Sequence, residues 1–258
     1  MERQRLAGGL AHLEVVAEQV LAHPRTMLSD RCWKYRTSTT GARLRVSSWR
    51  NAISSASATQ GILSLNSTTL GTDVTIGTLG SVYSNGGTVT INGTNNTNSS
   101  FSLFNGGTVN IASMGNANGA SSIGKASANV NAGTTLNYTG NTFASDKGFN
   151  HGGNTGDSAV NVTTSGQTLS MSDNLTSTAT LANGWKFGGA GNLTLTGAIQ
   201  NSAGTTVTKN GAGTLTLSGT NAYTGATAVI EGALALVGGS QASPITVSSG
   251  ASLGFTVG

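Results

Sequence analysis

The stretch GAGTLTLSGTNAYTGATAVIEGALAL, residues 211–236, sets Leu215 and Leu217 between Thr214, Thr216 and Ser218. Alternation of this kind puts the two leucines on one side of an extended chain and the hydroxyls on the other. Gly211-Ala212-Gly213 at its start invites comparison with a phosphate-cradling loop. That loop needs a third glycine where Thr216 stands, and a following helix to hold an anion. The stretch reads instead as short strands between glycine corners, and it recurs. Leu215, Leu234 and Leu253 are evenly spaced, and Leu217, Leu236 and Phe255 repeat the same interval. Leu193 and Leu195 precede the first pair at a slightly longer interval. NGGTVTI at 85–91 returns as NGGTVNI at 105–111.

A motif that persists while its period drifts near a value of about 20 residues is the mark of a solenoid. The structure that accounts for it is a parallel β-helix, in which each coil lays its short strands on those of the coil before. Alternate apolar residues point inward and stack into ladders of Leu, Val and Ile. The threonines between them face solvent, where β-branching suits an extended backbone. Gly211, Gly213, Gly219 and Gly225 are expected at corners with positive φ. The expected fold for residues 60–258 is therefore all-β, a parallel β-helix (β-solenoid) of about ten coils. Between 137 and 185 the period is less legible, and NTFASDKGFNHGGNTGDS (141–158) reads as a loop or irregular coil thrown out from the rod.

Charge divides the chain differently. Residues 1–50 hold nine of the 13 Lys and Arg and four of the nine Asp and Glu, leaving the rest of the chain with a net charge of −1. Residues 1–59 thus form a basic head, helical or disordered, with Leu6, Leu10, Leu13, Val16 and Val20 at helical spacing. His12, Glu14 and Glu18 interrupt those apolar positions, so they make no signal peptide. Lys125, Lys147, Lys186 and Lys209 are the only basic residues after residue 50, which argues against a nucleic-acid surface. Cys32 is the only cysteine, so no intrachain disulfide and no thiolate zinc cluster can form. No run approaches the ~20 apolar residues of a membrane-spanning helix.

Residues 211–236 closely resemble the autotransporter-associated β-strand repeat of type V secretion passengers and related surface proteins of Gram-negative bacteria. The pattern is matched at Gly211, Gly213, Leu215, Leu217, Gly219, Asn221, Tyr223-Thr224-Gly225, Thr227, Val229, Gly232 and Leu234. GNLTLTGAIQNSAGTTVTKN (191–210) and ITVSSGASLGF (245–255) are similar to neighbouring coils of such passengers, while 60–190 resembles them in style. The resemblance implies a secreted or cell-surface β-helical passenger acting as an adhesin-like or structural scaffold, with no cofactor and an unidentified protein or glycan ligand. It also implies a link to the outer membrane only through a C-terminal barrel. The chain stops at Val257-Gly258 within a repeat, so a fragment is expected, and the head 1–59 matches nothing in the family. A coil ending without a charge after Glu231 is expected to self-associate end to end.

Parallel β-helices also carry polysaccharide-cleaving enzymes, so catalysis is the alternative reading. Glycoside cleavage needs a pair of carboxylates, and after residue 50 there are only Asp73, Asp146, Asp157, Asp173 and Glu231. Asp146, Lys147, His151 and Asp157 crowd the 146–157 loop, but a solvated loop accounts for the same residues, and no enzyme is expected. HGGNTGD (151–157) resembles a calcium nonapeptide, with the third glycine one place late and no second copy. His12 and His23 lack partners at ligand spacing, and no metal site is assigned. Thr88/Thr90, Thr194/Thr196, Thr206/Thr208 and Thr214/Thr216 could stack into a flat hydroxyl lattice, although outward threonine is the default for a solvated β-helix. Asn-x-Ser/Thr triplets at Asn66, Asn92, Asn95, Asn98, Asn137, Asn161, Asn174 and Asn192 follow from composition. Asn221 is expected to bond its neighbour's backbone at a corner, and Tyr223 to close the coil.

Overall fold

A computed structural model describes residues 86–92 and 106–256, except 153–155, 178–183, 201–203 and 239–242; before residue 106 it also gives short strands between Leu13 and Phe104. From Gly61 onward every paired strand is parallel to its neighbour, and apart from the separate pair Thr75–Ile76 and Thr94–Asn95 the strands stack into three walls. The first wall includes Gly61–Ser64, Leu79–Tyr83, Phe101–Phe104, Ala128–Asn131, Phe149–Gly152 and Thr176–Ser177. The second wall has nine strands, from Thr68–Leu70 through Gly107–Ile111, Thr134–Tyr138, Ser158–Val162 and Gly184–Gly188 to Ile245–Val247. The third wall has six: Phe143–Ser145, Thr168–Met171, Asn192–Leu195, Thr214–Leu217, Ala233–Val237 and Ser252–Thr256.

The alternation read from the sequence sets the interior. Leu169, Leu193, Leu215, Leu234 and Leu253 stack in one ladder of the third wall, and Met171, Leu195, Leu217, Leu236 and Phe255 in the next. Leu215 and Leu217 are fully buried, with Thr214 and Thr216 on the outer side. Val89, Val109, Leu136, Val160 and Phe187 form the matching ladder of the second wall. Each aliphatic side chain so buried contributes about 1.5–3 kcal/mol of transfer free energy.

Counted on the six-stranded third wall, where the coil closes on all three sides, the solenoid has about six turns where ten were expected. The count of ten assumed a spacing of about 20 residues throughout. Stacked residues are 27 apart from Asn110 to Asn137, 24 from Asn137 to Asn161 and 27 from Asp157 to Gly184. In addition, after Gly107–Ile111 the chain makes no third-wall strand; residues 112–127 form an irregular excursion that still places Met114 and Ile123 in the core, and wall strands resume at Ala128. The segment 141–158, expected to be thrown out, is instead a regular coil: Phe143–Ser145 lies in the third wall, Phe149–Gly152 in the first, and Ser158 opens a strand of the second. Polar residues in its inward positions hide the alternation.

The glycines of the opening stretch are needed for two reasons, and positive φ is only one. Gly211 has φ +77°. At Gly213 and Gly219 the backbone is ordinary, but an added Cβ would overlap the carbonyl oxygens of Gly191 and Gly197 in the coil below. Close stacking of corner on corner, rather than the left-handed conformation, excludes a side chain there. Gly225 is the same case, against the Thr205 carbonyl.

In the head, Leu13–Glu14 pairs antiparallel with Arg43–Val46, and Thr26–Met27 with Trp33–Lys34. Arg43–Val46 also stacks parallel on Gly61–Ser64. The rest of the expected helix, with His12 and His23, lies outside the described residues, as does Cys32.

Candidate functional site

The four residues expected to share one loop have four separate environments. Asp146 follows the third-wall strand Phe143–Ser145, is exposed, and accepts a hydrogen bond from the Ala117 amide at 2.5 Å through Oδ1. Lys147 turns inward and is 1% exposed. Its ammonium donates to the Met114 carbonyl (3.0 Å), the Ser121 hydroxyl (3.2 Å) and the Gly124 carbonyl (2.5 Å). Burial lowers its pKa to about 8, against the opposing pull of the Asp146 charge. His151 occupies an inward slot of the first wall, directly above Val130 in the stacking order. Its ring meets Trp185 edge-on at 5.5 Å, and Nε2 lies 3.1 Å from the Gly156 carbonyl. Burial pulls its pKa below the usual value, with the Gly156 contact and the Asp157 charge acting the other way. Asp157 is on the second wall, where it accepts from the Gly184 amide (2.9 Å) and pairs with Lys186 (2.9 Å).

These groups therefore do not converge on one reacting centre. Asp146 points outside beside the third wall, His151 is inside the rod, and the Asp157 carboxylate is held by Lys186. Gly153, Asn154 and Thr155, the middle of the calcium-like motif, lie outside the described residues. Among the described residues no three His, Cys, Asp or Glu side chains group as metal ligands.

What Asp146 and Lys147 do hold is the excursion 112–127, which sequence reasoning missed. Ser145 adds a third tie by donating from Oγ to the Gly115 carbonyl at 2.5 Å. The available signal was the long interval between Val109 and Leu136, which stack on one another. Between the excursion and the third wall lies an open groove of about 390 Å³, lined by Asn116, Ala144, Asp146, Ser170, Ser172 and Thr196 among others. Asp146, Ser172 and Thr196 each follow the last inward residue of their strand: Ser145, Met171 and Leu195 stack in register. The amides of Ser172 and Thr196 bond the carbonyls of Ser145 and Met171 one coil below, at 3.0 and 2.9 Å. A polar column thus runs along this corner at the coil spacing.

Two further polar ladders run outside. On the second wall Asn161 donates to Asn137 (2.9 Å), Asn137 to Asn110 (3.0 Å) and Asn110 to Thr90 (3.0 Å). On the first wall Asn150 donates to Asn129 (3.1 Å) and Asn129 to Ser102 (2.9 Å). Asn137 and Asn161, two of the Asn-x-Ser/Thr positions, are ladder members. The hydroxyl lattice does not extend. Thr194 and Thr216 stack, but Ala235 and Gly254 follow them, and Thr208 lies between Lys186 and Ala228. Asn221 bonds the Ile199 amide one coil below at 2.9 Å, not its chain neighbour. Tyr223 is fully buried, its hydroxyl 2.8 Å from that of Thr227.

A family model described as the passenger-associated-transport-repeat matches residues 207–236. No curated protein and no solved structure matches the chain. The matched repeat and the β-solenoid together fit an autotransporter passenger repeat protein.

Proposed function

We propose that this passenger-repeat solenoid is a non-catalytic scaffold, adhesin-like or structural, carried on the surface of a Gram-negative bacterium or released from it. The observation that carries the reading is the division of labour among the polar side chains. Asp146, Lys147 and His151, the groups best suited to chemistry, are spent on holding the excursion or filling the interior. The outer walls meanwhile carry ladders of neutral amides and hydroxyls. Binding surfaces on a solenoid come from such repeated outward residues. The solenoid offers little basic surface to nucleic acid: of the four lysines after residue 50, Lys147 and Lys209 are buried and Lys186 is paired.

The surface reading is tested on cells that produce the protein. Antibody raised against residues 106–256 should label intact cells, and external protease should remove the label. Labelling that requires permeabilised cells would contradict it.

A further inference from the structure

We propose that the groove beneath the 112–127 excursion binds a neutral oligosaccharide lying along the rod axis. The inference rests on the scaffold reading and adds to it the class of ligand. The groove, at about 390 Å³, is open to solvent along its length and has the volume of a small-ligand cleft. Its polar column of Asp146, Ser172 and Thr196 repeats at the coil spacing, about 4.8 Å between paired strands. That step is close to the advance of one pyranose unit along an extended glycan, so successive rings would meet successive members of the column.

The chemistry of the lining selects among glycans. Ser170, Ser172 and Thr196 offer hydroxyls that both donate and accept, as sugar hydroxyls do. Asp146 gives Oδ1 to the Ala117 amide, and among the described residues Oδ2 accepts nothing. That oxygen is therefore available to a sugar hydroxyl as a charge-assisted acceptor. Ala144 and the carbon atoms of the column supply apolar surface for the C–H face of a ring. Among the described residues no cation lines the groove, since the Lys147 ammonium beside it is buried against three oxygens of the excursion. An acidic glycan would meet the Asp146 charge with no cation in the lining to receive it, since the neighbouring Lys147 ammonium is turned inward onto the excursion's oxygens, so the ligand is neutral. The excursion is tied down by Ser145, Asp146 and Lys147 together, which gives the groove a wall fixed before binding and lowers the ordering cost. Asp146 is the only carboxylate among the described lining residues, so the groove holds a glycan without the acid pair that would cleave it.

The test is titration of the full chain with cellohexaose, xylohexaose and hexagalacturonate, followed by calorimetry. A neutral hexasaccharide should bind saturably, with hexagalacturonate about tenfold weaker or more. Ser172→Trp, which fills the groove from an exposed position, should weaken binding at least about tenfold, whereas Thr216→Trp on the same wall outside the groove should leave it unchanged. Asp146→Asn keeps an Oδ1 acceptor for Ala117 and should narrow the preference against hexagalacturonate. No saturable binding of either neutral hexamer, a preference for the acidic one, or full binding by Ser172→Trp would overturn the inference. If the groove fails while intact cells still label, the ligand class is wrong and the surface scaffold stands; if cells do not label, the scaffold reading fails whatever the groove binds.

Discussion

The coils at 189–236 and those at 107–162 share walls and stacking but are held by different means. In the first, stacked residues are 22 apart from Asn192 to Thr214 and 20 from Gly211 to Glu231, the interior of the third wall is leucine, and corner glycines lie on corner glycines. In the second, where the stacked residues are 24 and 27 apart, the coils bury Lys147, His151 and Ser158, whose hydroxyl bonds the Val130 carbonyl at 2.7 Å. Trp185 Nε1 and Thr134 Oγ1 are buried in this neighbourhood without hydrogen-bond partners among the described residues, a desolvation cost the leucine coils avoid. A short coil stacks mainly on backbone and leucine. A long one encloses loop carbonyls, and these need an internal donor. Lys209 shows the principle reaching the short coils too: it sits inward between Phe187 and Val229, and its ammonium donates to the carbonyls of Asn210, Gly211 and Glu231 at 3.0, 2.5 and 3.0 Å.

The largest effect should come from the leucine coils. Leu217→Asp places an unpaired charge in the interior and should cost several kcal/mol, while Thr216→Asp on the outer face should cost under about 1 kcal/mol. Chemical denaturation measures both, and equal tolerance would break the register. Gly213→Ala comes next. Its Cβ cannot fit against Gly191 without moving the corner, so a loss of about 1–3 kcal/mol is expected.

In the long coils, Lys147→Met should leave the Met114 carbonyl without its donor, at a cost of about 1–3 kcal/mol, while the Gly124 carbonyl keeps the Ser121 hydroxyl and the Ser121 oxygen keeps the Ile123 amide. Hydrogen exchange should then accelerate at 112–127 first; uniform acceleration along the rod would contradict a local latch. A smaller effect separates the regions by pH. The pKa of His151 is below 6.5 in the folded chain, so as pH falls the unfolded chain takes up the proton first. Stability from this group is complete above pH 6.5 and declines as pH falls from there toward the folded value. Lys147, at about 8 when folded against 10.5 unfolded, should make stability rise between those two values. Replacing His151 by Gln should flatten the acid limb and leave the alkaline rise in place.

The leucine, valine and glycine positions were legible because they repeat, and each repetition is a fresh observation of the same wall. Asp146, Lys147 and His151 were legible as a cluster in the chain, but not as separate environments in space. Their directions are set by register with Ser145, Val130 and Met171, residues a full coil away or on the other side of a corner. The groove was hidden for the same reason: its lining residues are one per coil, and only stacking brings Asp146, Ser172 and Thr196 into line.

The central claim is the register of the stacked coils, with Leu193 over Leu215 and hence Thr194 beside Thr216 on the outer face. Disulfide trapping reads it directly, in a chain with Cys32 replaced by Ser. Thr194→Cys with Thr216→Cys should cross-link rapidly under mild oxidation, since stacked strands lie about 4.8 Å apart and Cα separations of about 4.4–6.8 Å suit the bond. Thr194→Cys with Ser218→Cys, two residues out of step, should not. Trapping of the displaced pair in preference to the stacked one would contradict the account.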